Sequence, residues 1–171
     1  METKITSHII KGLLLALVLI VISVIGQLAG LILQSWYGWI SIVVFVGGII
    51  WATIYYGQQM NNNVTFGNLF AHGFKTTAVT TCIVFIYTLL SIYVLFPGFI
   101  DQIVEKGMEK AREQGKVTEE QLQQGAGMIK KVTTITLIAG GLIGNLIVGL
   151  VGALIGAGAA KKNPNPTPFA E

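Results

Sequence analysis

Four stretches of this chain, residues 12–33, 36–57, 76–96 and 132–160, are long and apolar and carry no charged residue. At about 1.5 Å of rise per residue, a helix the length of the first stretch reaches roughly 33 Å, enough to cross a hydrocarbon layer about 30 Å thick. Inside lipid a backbone amide finds no water. A spanning segment must therefore close its own hydrogen bonds as a helix, or join a barrel built from short alternating strands. The stretches are unbroken and do not alternate, so they predict an all-α integral membrane bundle of four transmembrane helices. Only 11% of the 171 residues are charged, against about 25% in a soluble domain. The first stretch is too long for the core of a cleaved signal, and the small residues at 26–30 make a poor cleavage site within it, so it reads as a retained anchor.

The same lack of charge narrows the chemistry. Intramembrane acids, bases and histidines mark proton relays and ion paths, and the four stretches contain none. His8 and His72 are the only histidines and stand far apart in sequence, and Cys82 is the only cysteine. They fit no metal-ligand spacing, and Cys82 cannot form an intramolecular disulfide. No nucleophile and base constellation, phosphate loop or dinucleotide fingerprint is present. The expectation is a protein without catalytic residues, metal or cofactor. Its net charge of +3 is placed at the edges of the spans, where basic residues set topology and meet head groups, so nucleic acid is not an expected partner.

Orientation is finely balanced. Lys4, Lys11, Lys75, Lys161 and Lys162 fall on the side that holds both termini, against Lys106, Lys110, Arg112, Lys116, Lys130 and Lys131 in the loop between the third and fourth spans. The first hairpin, with two lysines before it and none in its turn, favours cytoplasmic termini. Residues 58–75 begin as a polar linker and become apolar at helical spacing through Phe66, Leu69, Phe70 and Phe74. They predict a short interfacial helix capped by Thr65 that runs into the third span. In the loop at 97–131, Phe99, Ile100, Ile103, Val104, Gly107, Met108 and Ala111 share one helical face, and Gly115 offers a stop. Thr118 and Gln121 have capping-box spacing for a second helix, which can run on into the fourth span. The loop is expected to be an amphipathic helical hairpin lying along the membrane surface. Its acids at 101, 105, 109 and 113 form a row, but the bases interleaved with them make it an ordinary solvated face. Residues 1–160 thus form one transmembrane domain, and the Pro-rich tail at 161–171 is predicted to be disordered.

Two groups of residues suggest interactions. Gly26 with Gly30, Gly140 with Gly144, and Gly152 with Gly156 have small-xxx-small spacing, and Gly149 shares a face with Gly152, Gly156 and Asn145. Such faces let helix backbones approach closely, either within the bundle or against a partner helix. Gln27, Gln34 and Asn145 are the conspicuous polar side chains of the spans. They could form an inter-helix bond between Gln27 and Asn145, or line a polar path. Aromatic residues such as Trp36, Trp39, Trp51 and Tyr93 gather near span ends, as an interfacial belt does.

The segment Thr65-Phe66-Gly67-Asn68-Leu69-Phe70-Ala71-His72-Gly73-Phe74-Lys75 leads into the third span. Then come Tyr93-Val94-Leu95-Phe96-Pro97, a charged helical loop and a Gly-rich last span. This layout resembles the bacterial membrane family catalogued as domain of unknown function 4199, over nearly the whole chain. The resemblance implies four spans in a bacterial inner membrane, with no catalytic residues to transfer. It also implies frequent encoding beside a polyprenol-type glycosyltransferase, and hence a link to envelope or lipid-linked sugar metabolism. The leading expectation is a non-catalytic accessory or scaffold subunit whose partners are the lipid bilayer and a membrane protein or further copies of itself. The alternative is a small transporter or flippase-like protein for a lipid-linked or neutral substrate, with Gln27, Gln34 and Asn145 along its path.

Overall fold

The computed structural model describes residues 5–115 and 118–161, with the backbone alone at 119–124. The disorder expected of the Pro-rich tail concerns positions that, from 162 onward, lie outside the described residues. Among the described residues there is no strand. The helices are α1 (His8–Leu28), α2 (Ser35–Gln59), α3 (Phe66–Leu90, prolonged by a π turn at Ser91–Leu95), α4 (Phe99–Glu113), α5 (Glu119–Ile135) and α6 (Gly141–Ala159). A second π turn, Thr136–Gly140, joins α5 to α6. Four helical stretches are long and apolar enough to cross a membrane: His8–Leu28, Ser35–Gln59, Phe66–Leu95 and Gly125–Ala159.

The first helix is displaced from its expected position. It begins at His8, where the Ser7 hydroxyl accepts from the Ile10 N–H, and ends at Leu28 although the apolar run continues to residue 33. Gly30 takes a left-handed conformation with φ of +68°, and the N–H groups of Leu31 and Ile32 turn back to the Gly26 carbonyl. That is a glycine-terminated helix end, which stops the helix whatever the hydropathy beyond it. The displacement places Lys11 within the first helix. The third helix also starts early, at Phe66, with the Thr65 hydroxyl accepting from the Asn68 N–H. The expected interfacial segment is simply its first turns.

The chain divides into two compact units, residues 1–84 with 144–171, and residues 85–143. In the first, Phe45 and Ile49 of α2 and Ala153 of α6 are buried together, with Leu15 and Leu19 of α1 and Phe70 of α3 against them. This is a four-helix bundle held at short range by small residues. A Cβ on Gly12 would press on Val79, one on Gly48 on Leu15, one on Gly149 on Thr77, and one on Gly156 on Thr53 and the Ile50 backbone. Between helices in lipid, such close packing takes the part that hydrophobicity plays in water.

Threonines fill much of the remaining interior. Thr53, Thr76, Thr77, Thr80 and Thr81 are all buried. Thr53, Thr76 and Thr77 each donate their hydroxyl to the carbonyl four residues earlier, at 2.8, 2.9 and 3.1 Å. The polar atom is thereby satisfied within its own helix, and the side chain packs as a compact apolar body.

In the second unit, α4 ends at Glu113, and Gly115 has φ of +62°, the stop expected there. Its apolar face does not lie free for lipid. Ile100 and Val104 are buried with Ile92, and Met108, Ile129, Leu137 and Ile138 pack against them. Asp101 forms an ion pair with Lys130 of α5. α5 runs through its π turn into the fourth apolar stretch, and the apolar face of α4 is buried against it, which takes that apolar area out of its surroundings.

Candidate functional site

The polar centre of the first unit is Lys11, a residue that hydropathy alone would assign to the membrane edge. It is only 3% exposed. Its ammonium lies 3.3 Å from each of three acceptors: the Ala52 carbonyl and Gln59 Oε1 of α2, and His72 Nε2 of α3. An ammonium has three N–H donors, so this set uses all of them. For the third bond to form, His72 must accept at Nε2 and carry its ring proton on Nδ1. The Tyr55 and Tyr56 rings lie 5.1 and 5.6 Å from the ammonium, within the range of cation–π attraction.

The partners of Lys11 are themselves held. The His72 ring stacks on Tyr56 at 4.0 Å and 4°, and His8 meets it edge-on at 6.0 Å. Gln59 accepts from the Thr6 N–H and donates to the Thr6 hydroxyl, which ties the N-terminal segment to the end of α2. About two turns further along α3, the Thr80 hydroxyl lies 3.1 Å from the Gly12 carbonyl of α1 and 2.9 Å from the Thr76 carbonyl of its own helix. The amino ends of α1 and α3 and the carboxyl end of α2 thus meet around one cation, and at the same end Ala157 of α6 and Ala160 just after it pack with Val64 and Leu69.

No carboxylate balances that cation among the described residues of this unit. Between Glu2 and Asp101, and again between Glu120 and Glu171, the sequence contains no Asp or Glu. Lys11 is held by dipoles and rings instead, with the carboxyl end of α2 contributing the negative end of its helix dipole. Beside the cluster opens a cleft of about 420 Å³ lined by His8, His72, Lys75, Asn68 and Tyr56, among others.

The residues singled out by spacing divide differently. Gly149, Gly152 and Gly156 pack inside the first unit, against Thr77, Ile49 and Thr53 respectively. Gly26 receives the Tyr37 ring, whose hydroxyl donates to the Ile22 carbonyl at 2.6 Å. Gly30 lies beyond the end of α1 and packs on nothing, so Gly26 and Gly30 are not a helix-packing pair. Among the described residues, a Cβ on Gly140 would meet only Thr136 of its own helix, and a Cβ on Gly144 would meet nothing within 4 Å. Gln27 and Gln34 do not share a helix face either, since α1 ends at Leu28 and Gln34 is the residue before α2. No hydrogen bond joins Gln27 to half-buried Asn145, which lies in α6. Among the described residues no group of three His, Cys, Asp or Glu side chains is placed to hold a metal ion.

The Lys11 cluster was not visible in the sequence, because its members are spread from Thr6 to His72. The available signal was a lysine between Ile10 and the first apolar stretch, with no acid from residue 12 to residue 100.

Four long apolar helices with a bundle interior closed by glycine, alanine and threonine define a multi-pass integral membrane protein. The chain belongs to the family described as "Protein of unknown function (DUF4199)", whose model matches residues 10–162. No curated protein and no solved structure matches it.

Proposed function

We propose that this protein is a non-catalytic accessory subunit of the bacterial inner membrane, with both termini in the cytoplasm, that packs against the transmembrane helix of another protein. The observation that carries this reading is the division between the two small-residue pairs of the fourth long helix. Gly152 and Gly156 are consumed inside the bundle, whereas Gly140 and Gly144 remain uncovered. A small-xxx-small pair without a neighbour suits a second helix at close approach. Gly140 also closes a π turn, a feature that is frequent at functional sites.

The remaining observations favour recognition over turnover or transport. Lys11 spends its three N–H groups on protein acceptors, which suits a structural or binding cation better than a nucleophile. Gln27 and Asn145 share no hydrogen bond and Gln34 stands before α2, so these amides lend no support to a transporter.

The test is affinity purification of the full chain from its native membrane in mild detergent, with mass spectrometry of what accompanies it. We expect a stoichiometric membrane protein that is lost in Gly144→Leu and retained in Gly144→Ala. Recovery of the chain alone, or only with copies of itself, would overturn the reading.

A further inference from the structure

The cleft beside Lys11 has the composition of an anion site. Among the described residues, every ionisable side chain that borders it or lies directly beneath it is basic or a tyrosine: His8, His72 and Lys75 on its wall, Tyr56 stacked on His72, and Lys11 behind. The absence of acids from residues 5–100 and 121–170 means that no described side chain of this unit can supply the countercharge. A buried cation held only by neutral partners leaves a positive potential, and a low-dielectric surrounding preserves it.

Two further elements add to that potential. Ser7 and His8 stand at the amino end of α1, and Asn68 is in the first turn of α3, so the positive ends of two helix dipoles border the cleft. Asn68, Ser7 and the Nδ1–H of His72 are polar groups suited to oxygen ligands. At about 420 Å³ the cleft falls within the roughly 300–1,000 Å³ typical of small-molecule sites.

The position of the cleft narrows the ligand. It lies at the end of the bundle, where the apolar stretches of α1 and α3 begin, at the level where lipid head groups lie. Half-exposed Ile5 forms part of its wall, and Ile9 is exposed in the first turn of α1, so apolar surface adjoins the basic groups. Phosphate esters combine the required charge, several acceptor oxygens and, in a lipid, a tail for that apolar rim.

We propose that the cleft formed by His8, Asn68, His72 and Lys75 binds a phosphate-bearing anion, with Lys11 as the buried charge that completes the site. Lys75 contacts the anion directly. Lys11 acts through His72, whose tautomer it sets, and through its field.

Binding is tested on the full chain in mild detergent by native mass spectrometry. Dioleoylphosphatidylglycerol, dioleoylphosphatidylcholine and inorganic phosphate are titrated separately. Saturable binding of one phosphatidylglycerol, tighter than phosphatidylcholine and resistant to millimolar phosphate, assigns the anion to a lipid head group. Saturable binding of inorganic phosphate, with competition against the lipid, assigns it to a soluble phosphate compound.

Three substitutions locate the site. Lys75→Gln, at an exposed position, should weaken binding about tenfold or more, the effect of losing one hydrogen bond to a charged group. Gln59→Glu, nearly isosteric, places a carboxylate against Lys11 and should weaken binding to a similar extent while the protein stays monodisperse. Lys131→Gln, at a residue that does not line the cleft, removes the same formal charge and should change nothing. Absence of saturable binding by all three probes would overturn the proposal. So would binding that survives both Lys75→Gln and Gln59→Glu, or that Lys131→Gln reduces equally.

Discussion

The Lys11 ammonium of α1 lies 3.3 Å from Nε2 of His72 in α3, two residues 61 positions apart. The contact fixes a cation and an imidazole in one geometry, with α2 supplying the other two acceptors. Replacing Lys11 with Met keeps most of the length of the side chain and removes the donor. The Ala52 carbonyl and His72 Nε2 would lose a charge-assisted bond, at a cost of about 1–3 kcal/mol. We expect a clear fall in Tm in detergent, read by circular dichroism at 222 nm. An unchanged Tm would mean that the cluster contributes nothing to the bundle.

Gly156 and Gly144 lie on the same helix and should respond oppositely to alanine. A Cβ at Gly156 would lie 2.8 Å from Thr53 Cβ and 3.1 Å from Ile50 Cα, and backbone cannot move aside cheaply. Gly156→Ala should therefore destabilise by about 1–3 kcal/mol. Gly144→Ala meets open space and should be neutral or stabilise by up to about 1 kcal/mol through helix propensity. Unfolding in mixed micelles of rising SDS fraction measures both, and equal responses would contradict the packing described.

Gly26 and Tyr37 form a coupled pair at the other end of α1. Tyr37→Phe removes the hydrogen bond to the Ile22 carbonyl, about 1 kcal/mol. Gly26→Ala pushes a methyl into the ring and should cost more. In the double variant Gly26→Ala with Tyr37→Leu, removing the ring should recover part of the Gly26→Ala loss. Strict additivity in the same unfolding assay would show that the two do not touch.

Orientation is open to direct labelling. In a Cys82→Ala background, a membrane-impermeant maleimide applied to intact cells should label Glu109→Cys in α4. It should label Ile5→Cys only after permeabilisation. The reverse pattern would invert the proposed orientation, and labelling of both positions in intact cells would contradict three spans between them.

Much of the helical layout was legible because lipid imposes a simple rule on backbone amides, and a long uncharged run has one way to satisfy it. Local signals were readable too: Thr65 caps α3 and Gly115 follows the end of α4, each through chemistry confined to a few neighbouring residues. Hydropathy misjudged the ends of α1. A run of apolar residues says nothing of where φ turns positive, so spacing alone makes Gly30 a packing residue although it marks the helix end. Hydropathy makes Lys11 a boundary for the converse reason. A charge is excluded from a span only when it has no partners, and its partners come from two other helices.

Sequence alone determined that this chain is a multi-pass membrane protein of α-helices, because length, hydropathy and backbone hydrogen bonding leave no other solution. It also determined that the first three helices are acid-free, which is a matter of composition. Tertiary structure decided which glycines are spent inside and which stay open, since Gly152 and Gly144 differ only in what another helix brings near them. It likewise decided that Thr6, Lys11, Gln59 and His72 form one cluster. Their meeting depends on the register of three helices, and register is set by side-chain packing across the bundle, which no spacing within a single helix encodes.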